Sequence, residues 1–202
     1  ELYDGVHTSR ADLSSAVESV LQNSSTAVEC LGMLHAMDQQ FDDAERCYEQ
    51  ARAIRLELAE KFSEAPDNHG FLANSHTNLG YLDKSRGDAE AAAAHFQAAV
   101  EILQAALLDH PRDERLRMDL AKDLQLLAEM LKQQRDRAGA HGRLDQAVKI
   151  LTQLCEDQPL TPLYRIRLAM LCSDLSIDPR RAVEERLRHR ERARELVEEV
   201  RR

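Results

Sequence analysis

The sequence repeats itself every 48 residues. Leu31-Gly32, Leu79-Gly80 and Leu127-Ala128 stand 48 apart, and the same interval separates Pro111 from Pro159 and Leu120 from Leu168. Such a period means one supersecondary unit made several times over. No single unit can bury its apolar face alone, so neighbours must stack against one another.

Each unit holds two amphipathic segments joined by a short polar break. In the second, a helix from about Phe71 to Ser85 is followed by Arg86-Gly87-Asp88, where Asp88 suits the N-cap of the next helix. That helix is predicted from Ala89 to Asp109, with Ala92, Phe96, Ala99, Val100, Leu103 and Leu107 at three- and four-residue steps and Pro111 to end it. The first unit gives a helix from Ala27 to Met37, a break at Asp38-Gln39-Gln40, and a helix from Asp42 to Lys61. Ala44, Tyr48, Ala51 and Ile54 of that helix are expected to face inward, and Pro66, Asn68 and Gly70 to mark an exit loop. In the third, Leu116 to Gln134 is expected as helix, Arg135 to Gly142 as an enlarged loop, and Leu144 to Glu156 as a shortened second helix. A fourth first-helix over Leu163 to Leu175 leads to Asp178-Pro179, an N-cap with proline after it, and an Arg/Glu-rich final helix. Ahead of the first unit, Ala11 to Gln22 suggests a separate short helix, either a cap or the remnant of an upstream repeat.

A first helix with Leu-Gly at its middle, then a helix carrying Ala, a large residue four later and Ala three after that, resembles the tetratricopeptide repeat. Leu79-Gly80, Gly87, Ala92, Phe96, Ala99 and Pro111 stand in that family's order. Leu31-Gly32, Ala44, Tyr48 and Ala51 follow it in the first unit, and Leu127-Ala128, Ala147, Leu151 and Leu154 more thinly in the third. The resemblance covers about residues 25–175, and the long second helices look like the extended repeats of bacterial multidomain proteins. It departs at the family's early aromatic position, occupied here by Val28, His76, Leu124 and Cys172. The fold it implies is all-α, a right-handed α-solenoid of stacked antiparallel hairpins: about three repeats, at 25–70, 71–115 and 116–160, flanked by helices at 1–24 and 161–202. Gly32 and Gly80 would lie where paired helices cross closely.

The resemblance also implies a concave wall built by the first helices, to which fixed positions of each helix contribute. These are Thr26, Glu29, Met33, Ala36 and Met37; then Asn74, Thr77, Tyr81, Lys84 and Ser85; then Lys122, Gln125, Glu129, Lys132 and Gln133. Some members clamp a peptide's terminal carboxylate with five such residues. Asn78 and Lys122 match two, but Glu29, Met33 and Leu126 replace the others. The expected ligand is instead a protein or peptide segment held by Asn74 and Asn78 and meeting Met33, Met37 and Tyr81, whose flexible or flat side chains adapt to a partner. Packing against a neighbouring helix is the alternative for those three.

Charge narrows the partners. Residues 1–70 hold 14 Asp and Glu against 5 Lys and Arg, while 71–202 hold 22 of each, so the net −9 sits entirely in the first third. A basic peptide near the N-terminal repeat suits this, and nucleic acid does not. The segment Pro179 to Arg202 has nine Arg against six Glu, the pattern of a solvated capping helix in preference to the alternative, an RNA or acidic-partner contact. No unbroken run of about 18 apolar residues predicts a membrane span. Cys30, Cys47, Cys155 and Cys172 lack metal-ligand spacing and are expected as buried thiols, with a cytoplasmic location following from their reduced state. Opening on Glu1, the chain is expected to be a processed form or a piece of a longer polypeptide. No nucleophile motif, His-Glu-x-x-His or phosphate loop is present, so neither catalysis, cofactor nor metal is expected; His76 and His95 are expected near each other as a structural pair. The functional expectation is a non-catalytic scaffold for protein interaction. The alternative is a self-assembly or regulatory segment whose groove is filled by another copy or a neighbouring domain.

Overall fold

A computed structural model describes residues 10–178 and 181–201 of the chain. Among them the regular structure is entirely helical: α1 (Arg10–Met37), α2 (Phe41–Lys61), α3 (Pro66–Arg86), α4 (Ala89–Asp109), α5 (Glu114–Gln133), α6 (Arg137–Asp157), α7 (Pro162–Ile177) and α8 (Val183–Arg201). The chain divides into two compact units, Glu1–Ile102 and Leu103–Arg202, with the boundary inside α4. In the first unit α2 packs between α1 and α3, and α3 meets α4 through Tyr81 and Phe96, whose rings lie edge to face at 5.7 Å. In the second, α6 packs between α5 and α7, and α7 packs on α8.

The 48-residue period is exact in the turns. The helices that close the first three hairpins start at Phe41, Ala89 and Arg137, and two residues earlier the backbone turns left-handed at Gln39 (φ 60°), Gly87 (φ 83°) and Arg135 (φ 66°). Only glycine enters that region without steric cost, so Gln39 and Arg135 hold a conformation imposed by the hairpin. Capping follows the same step. Asp88 accepts from the Ala91 amide at 2.9 Å and Asp136 from the Gly139 amide at 2.9 Å, whereas Gln40, the equivalent residue before α2, makes no side-chain cap. The N-cap expected at Asp88 is in place.

Gly32 and Gly80 mark close helix crossings, as expected. A Cβ on Gly80 would stand 2.6 Å from the Phe96 ring, and one on Gly32 would stand 2.8 Å from Tyr48. The cores fill around these crossings. Ala44, Ala51, Leu79 and Leu82 are buried with Tyr48 in the first unit, and Leu116, Leu124, Leu151, Leu154 and Leu168 in the second.

Several expectations are corrected. The short helix before the first repeat and the first helix of that repeat are one continuous helix, α1. Its Asn-Ser-Ser-Thr stretch looks like a break, but Ser25 and Thr26 donate their hydroxyls to the Gln22 carbonyl within the helix, each at 2.9 Å. Pro66, Asn68 and Gly70 lie inside α3 rather than in a loop. Pro66 occupies a first-turn position that needs no N–H, and buried Asn68 donates to Glu18 and to the Phe62 carbonyl. The enlarged loop from Arg135 to Gly142 is absent, because α6 begins at Arg137 under the Asp136 cap and matches α2 and α4 at 21 residues each. Ile54 is only half-buried, whereas its neighbour Arg55 is buried. Cys30 is exposed and Cys47 intermediate; only Cys155 and Cys172 are buried thiols. Of the C-terminal apolar set, Leu196 is buried while Val183, Leu187 and Val197 are exposed; Asp178 closes α7 rather than capping α8, which begins at Val183, and Pro179 lies outside the described residues. By length and composition α4 could cross a membrane, although His95, Gln97 and Glu101 interrupt its apolar run. Burial of Ala92, Phe96, Ala99 and Val100 accounts for that composition.

Candidate functional site

In the first unit the expected wall residues fall into two groups. Met33, Met37 and Tyr81 are open to solvent at 51%, 78% and 42% exposure. Tyr81 lies edge-on against Phe96, and the two methionines carry flexible thioethers. This is an adaptable apolar surface.

Glu29 and Asn78 form the second group, drawn into a buried network that sequence reasoning missed. Arg55 of α2 pairs with Glu29 of α1 at 2.5 and 2.9 Å and donates to the Ser75 hydroxyl at 3.0 Å and the Phe71 carbonyl at 3.2 Å. Its guanidinium also lies over the Phe71 ring at 5.8 Å. Asn78 of α3 donates to the same Glu29 carboxylate. Three helices are thereby tied by one carboxylate and one guanidinium, and Glu29 and Asn78 are engaged internally instead of facing a ligand. A single arginine between apolar residues of a helix carries no local sign of burial, since its partner stands 26 residues away.

Thr77 is also corrected as a wall residue: it is buried, and its hydroxyl donates to the Ala73 carbonyl at 3.1 Å. Asn74 and Lys84 are half-buried, each with a partner inside the molecule. In the second unit Lys122 lies 3.7 Å from Asp119 and 3.9 Å from Asp123. Gln125 donates to the Ala121 carbonyl at 3.0 Å, and Glu129 is exposed. The α5 wall is thus polar and largely self-satisfied.

A second apolar surface lies where the residue-by-residue reading stopped. Carrying the wall positions 48 residues beyond Lys122, Gln125 and Glu129 reaches Met170, Ser173 and Ile177 of α7. An open cleft of about 920 Å³ between α7 and α8 is lined by Ile166, Met170, Ser173 and Val197, with Arg190 and Arg194 also on it. The period itself was the signal that could have found it.

His76 and His95 do meet, Nδ1 to Nδ1 at 3.3 Å, with Asp83 3.6 Å from Nε2 of His95. Burial, followed by the charge of His95 and Arg52, lowers His76 to about 4, so it is neutral near pH 7. Among the described residues no group of three or more His, Cys, Asp or Glu is arranged to hold a metal ion.

Residues 26–68 and 72–112 match the tetratricopeptide repeat. These two segments are tetratricopeptide repeats. Among solved structures the chain is similar to BtubC (BKLC) from P. vanneervenii, at 20% identity and a TM-score of 0.59; the match covers 89% of this chain and 62% of that one. It is also similar at 18% identity to the DHF58 filament and to the de novo designed helical repeat protein DHR64, each with a TM-score of 0.46, covering 92% of this chain and 95% of those. None of the curated proteins matches the sequence. The tetratricopeptide hairpins here match the family's grammar in the first unit, where both matched segments begin.

Proposed function

We propose that this protein is a non-catalytic scaffold that holds a peptide or protein segment against the faces of its first helices. One observation carries the reading: at the positions the family turns inward, Met33, Met37, Tyr81, Met170 and Ile177 are all exposed, at 42–78%. Apolar side chains left out of a core and gathered at one set of repeat positions make a surface for a partner. Methionine and tyrosine suit it, because they follow the shape of a ligand at little conformational cost. The ligand this favours is a segment with spaced apolar side chains. Basic residues in it would be attracted by the acid surplus of residues 1–70.

The test is retention of a protein from source lysate by the immobilised chain, repeated with Tyr81→Ala, Met37→Glu and Met170→Glu. Loss of one specific protein in these variants, with helical content and melting unchanged, supports the scaffold. Retention that ignores all three substitutions defeats it.

A further inference from the structure

The outer face of α1 bears an uncovered apolar stripe. Leu13, Val17, Val20, Ser24, Ala27, Leu31 and Leu34 are separated alternately by four and three residues, which is the spacing of a coiled-coil seam. The five large members are 48–63% exposed. Leucine and valine in such a row are costly to leave in water, and the repeat shows what normally lies on them. Forty-eight residues on, Val20, Ser24, Leu31 and Leu34 correspond to Asn68, Leu72, Leu79 and Leu82 of α3; a further 96 on lie Tyr164, Leu168 and Leu175 of α7. All seven are at most 8% exposed. α3 packs on the helix before it, α2, and α7 on the helix before it, α6, as well as on α8. Among the described residues α1 has no such helix on this face.

We propose that α1 is a self-association seam, covered by α1 of a second copy of this chain. Length is the first argument. In the repeat, Pro66, the start of α3, corresponds to Glu18, yet α1 begins at Arg10 and runs 28 residues against 21. The stripe continues into that extension with Leu13 and Val17, beyond the reach of a 21-residue helix stacked in repeat register. Another α1 matches it from end to end, over roughly 30 Å at 1.5 Å per residue. Charge is the second argument. The residues flanking the stripe, Ser14, Ala16, Leu21, Asn23, Val28 and Cys30, are all uncharged. The carboxylates of the same stretch are turned inward, Glu18 to Asn68 and Glu29 to Arg55. An acidic region thus meets its own copy with no like charges opposed across the seam. The same patch serves both copies, so the contact is isologous and closes at two.

The proposal goes beyond the scaffold reading and involves none of its wall residues. The measurement is the mass of the full chain by sedimentation equilibrium from micromolar to hundreds of micromolar. The expected result is a rise from 22.9 kDa toward twice that value. Val20→Glu combined with Leu31→Glu is expected to hold the mass at 22.9 kDa throughout, with helical content by circular dichroism unchanged because both sites are exposed. Val17→Lys, in the extension and clear of the hairpin core, is expected to raise the dissociation constant at least tenfold. A wild-type chain that stays at 22.9 kDa overturns the proposal and leaves the stripe to a helix of another polypeptide. A dimer indifferent to these α1 variants but abolished by Tyr81→Ala overturns it too, since the second copy would then occupy the wall.

Discussion

Two joints in the molecule use the same backbone step and opposite chemistry. Where α2 lies on α3, Arg55 is buried against Glu29, Ser75 and the Phe71 carbonyl. Where α6 lies on α7, the equivalent residues 96 positions on are Leu151 for Arg55 and Leu171 for Ser75, and both are buried apolar side chains. The 48-residue step therefore dictates spacing and leaves the filling open. The difference matters for specificity more than for net stability. An ion pair taken out of water regains in Coulomb and hydrogen-bond energy about what it lost in hydration, but it accepts only one geometry. Leucines tolerate more. In the first unit that geometry links α1, α2 and α3 and engages Glu29 and Asn78 within the molecule.

The largest expected effect comes from splitting the ionic joint. Glu29→Ala leaves a buried guanidinium without its carboxylate and should cost about 3–5 kcal/mol of unfolding free energy in denaturant titrations. Glu29→Leu with Arg55→Leu, which removes both charges and leaves an apolar joint like the α6–α7 one, should recover most of that loss. If the double variant is as unstable as the single, the two joints are not interchangeable and the comparison fails. Leu151→Ala, the control at the apolar joint, should cost about 2–5 kcal/mol with no rescue available from a partner.

A middle-sized effect tests the hairpin crossings. Gly80 faces Phe96 in the first unit, while the second unit has Ala128 and Leu144 at the equivalent positions. Gly80→Ala drives a methyl into the ring and should lower stability by about 1–3 kcal/mol. Adding Phe96→Leu should relieve part of it, as a smaller side chain across from alanine is what the second unit already uses.

The smallest effects are gains. Gln39→Gly and Arg135→Gly relax a left-handed residue that carries a side chain, and each should stabilise by about 0.5–1 kcal/mol, read as a raised melting temperature. Gly87, already glycine, has nothing to gain, and Gly87→Ala should lose a similar amount. Equal responses at all three turns would show that the turns are not strained in the way their φ values indicate.

What the sequence by itself determined is the part written in neighbouring residues. The period, the paired helices, the cap at Asp88, the turn at Gly87 and the close crossings at Gly32 and Gly80 all follow from local side-chain size and hydrogen-bonding capacity. The family's register also picked out Met33, Met37 and Tyr81, which are exposed. Tertiary structure decided the rest, wherever a partner far along the chain overrode a local preference. Ser25, in a stretch that would break a helix, stays in α1 where its hydroxyl accepts from Arg55, 30 residues away. Pro66 to Gly70 become helix because Asn68 finds Glu18, 50 residues away. Gln39 and Arg135 turn left-handed because the hairpin spacing leaves no other path. Arg55 is buried because Glu29 and Ser75 replace its water, and Thr77 leaves the wall because the stack closes over it. Local chemistry sets where helices begin and turn; which charges lie inside depends on compensation by groups that only the folded chain brings together.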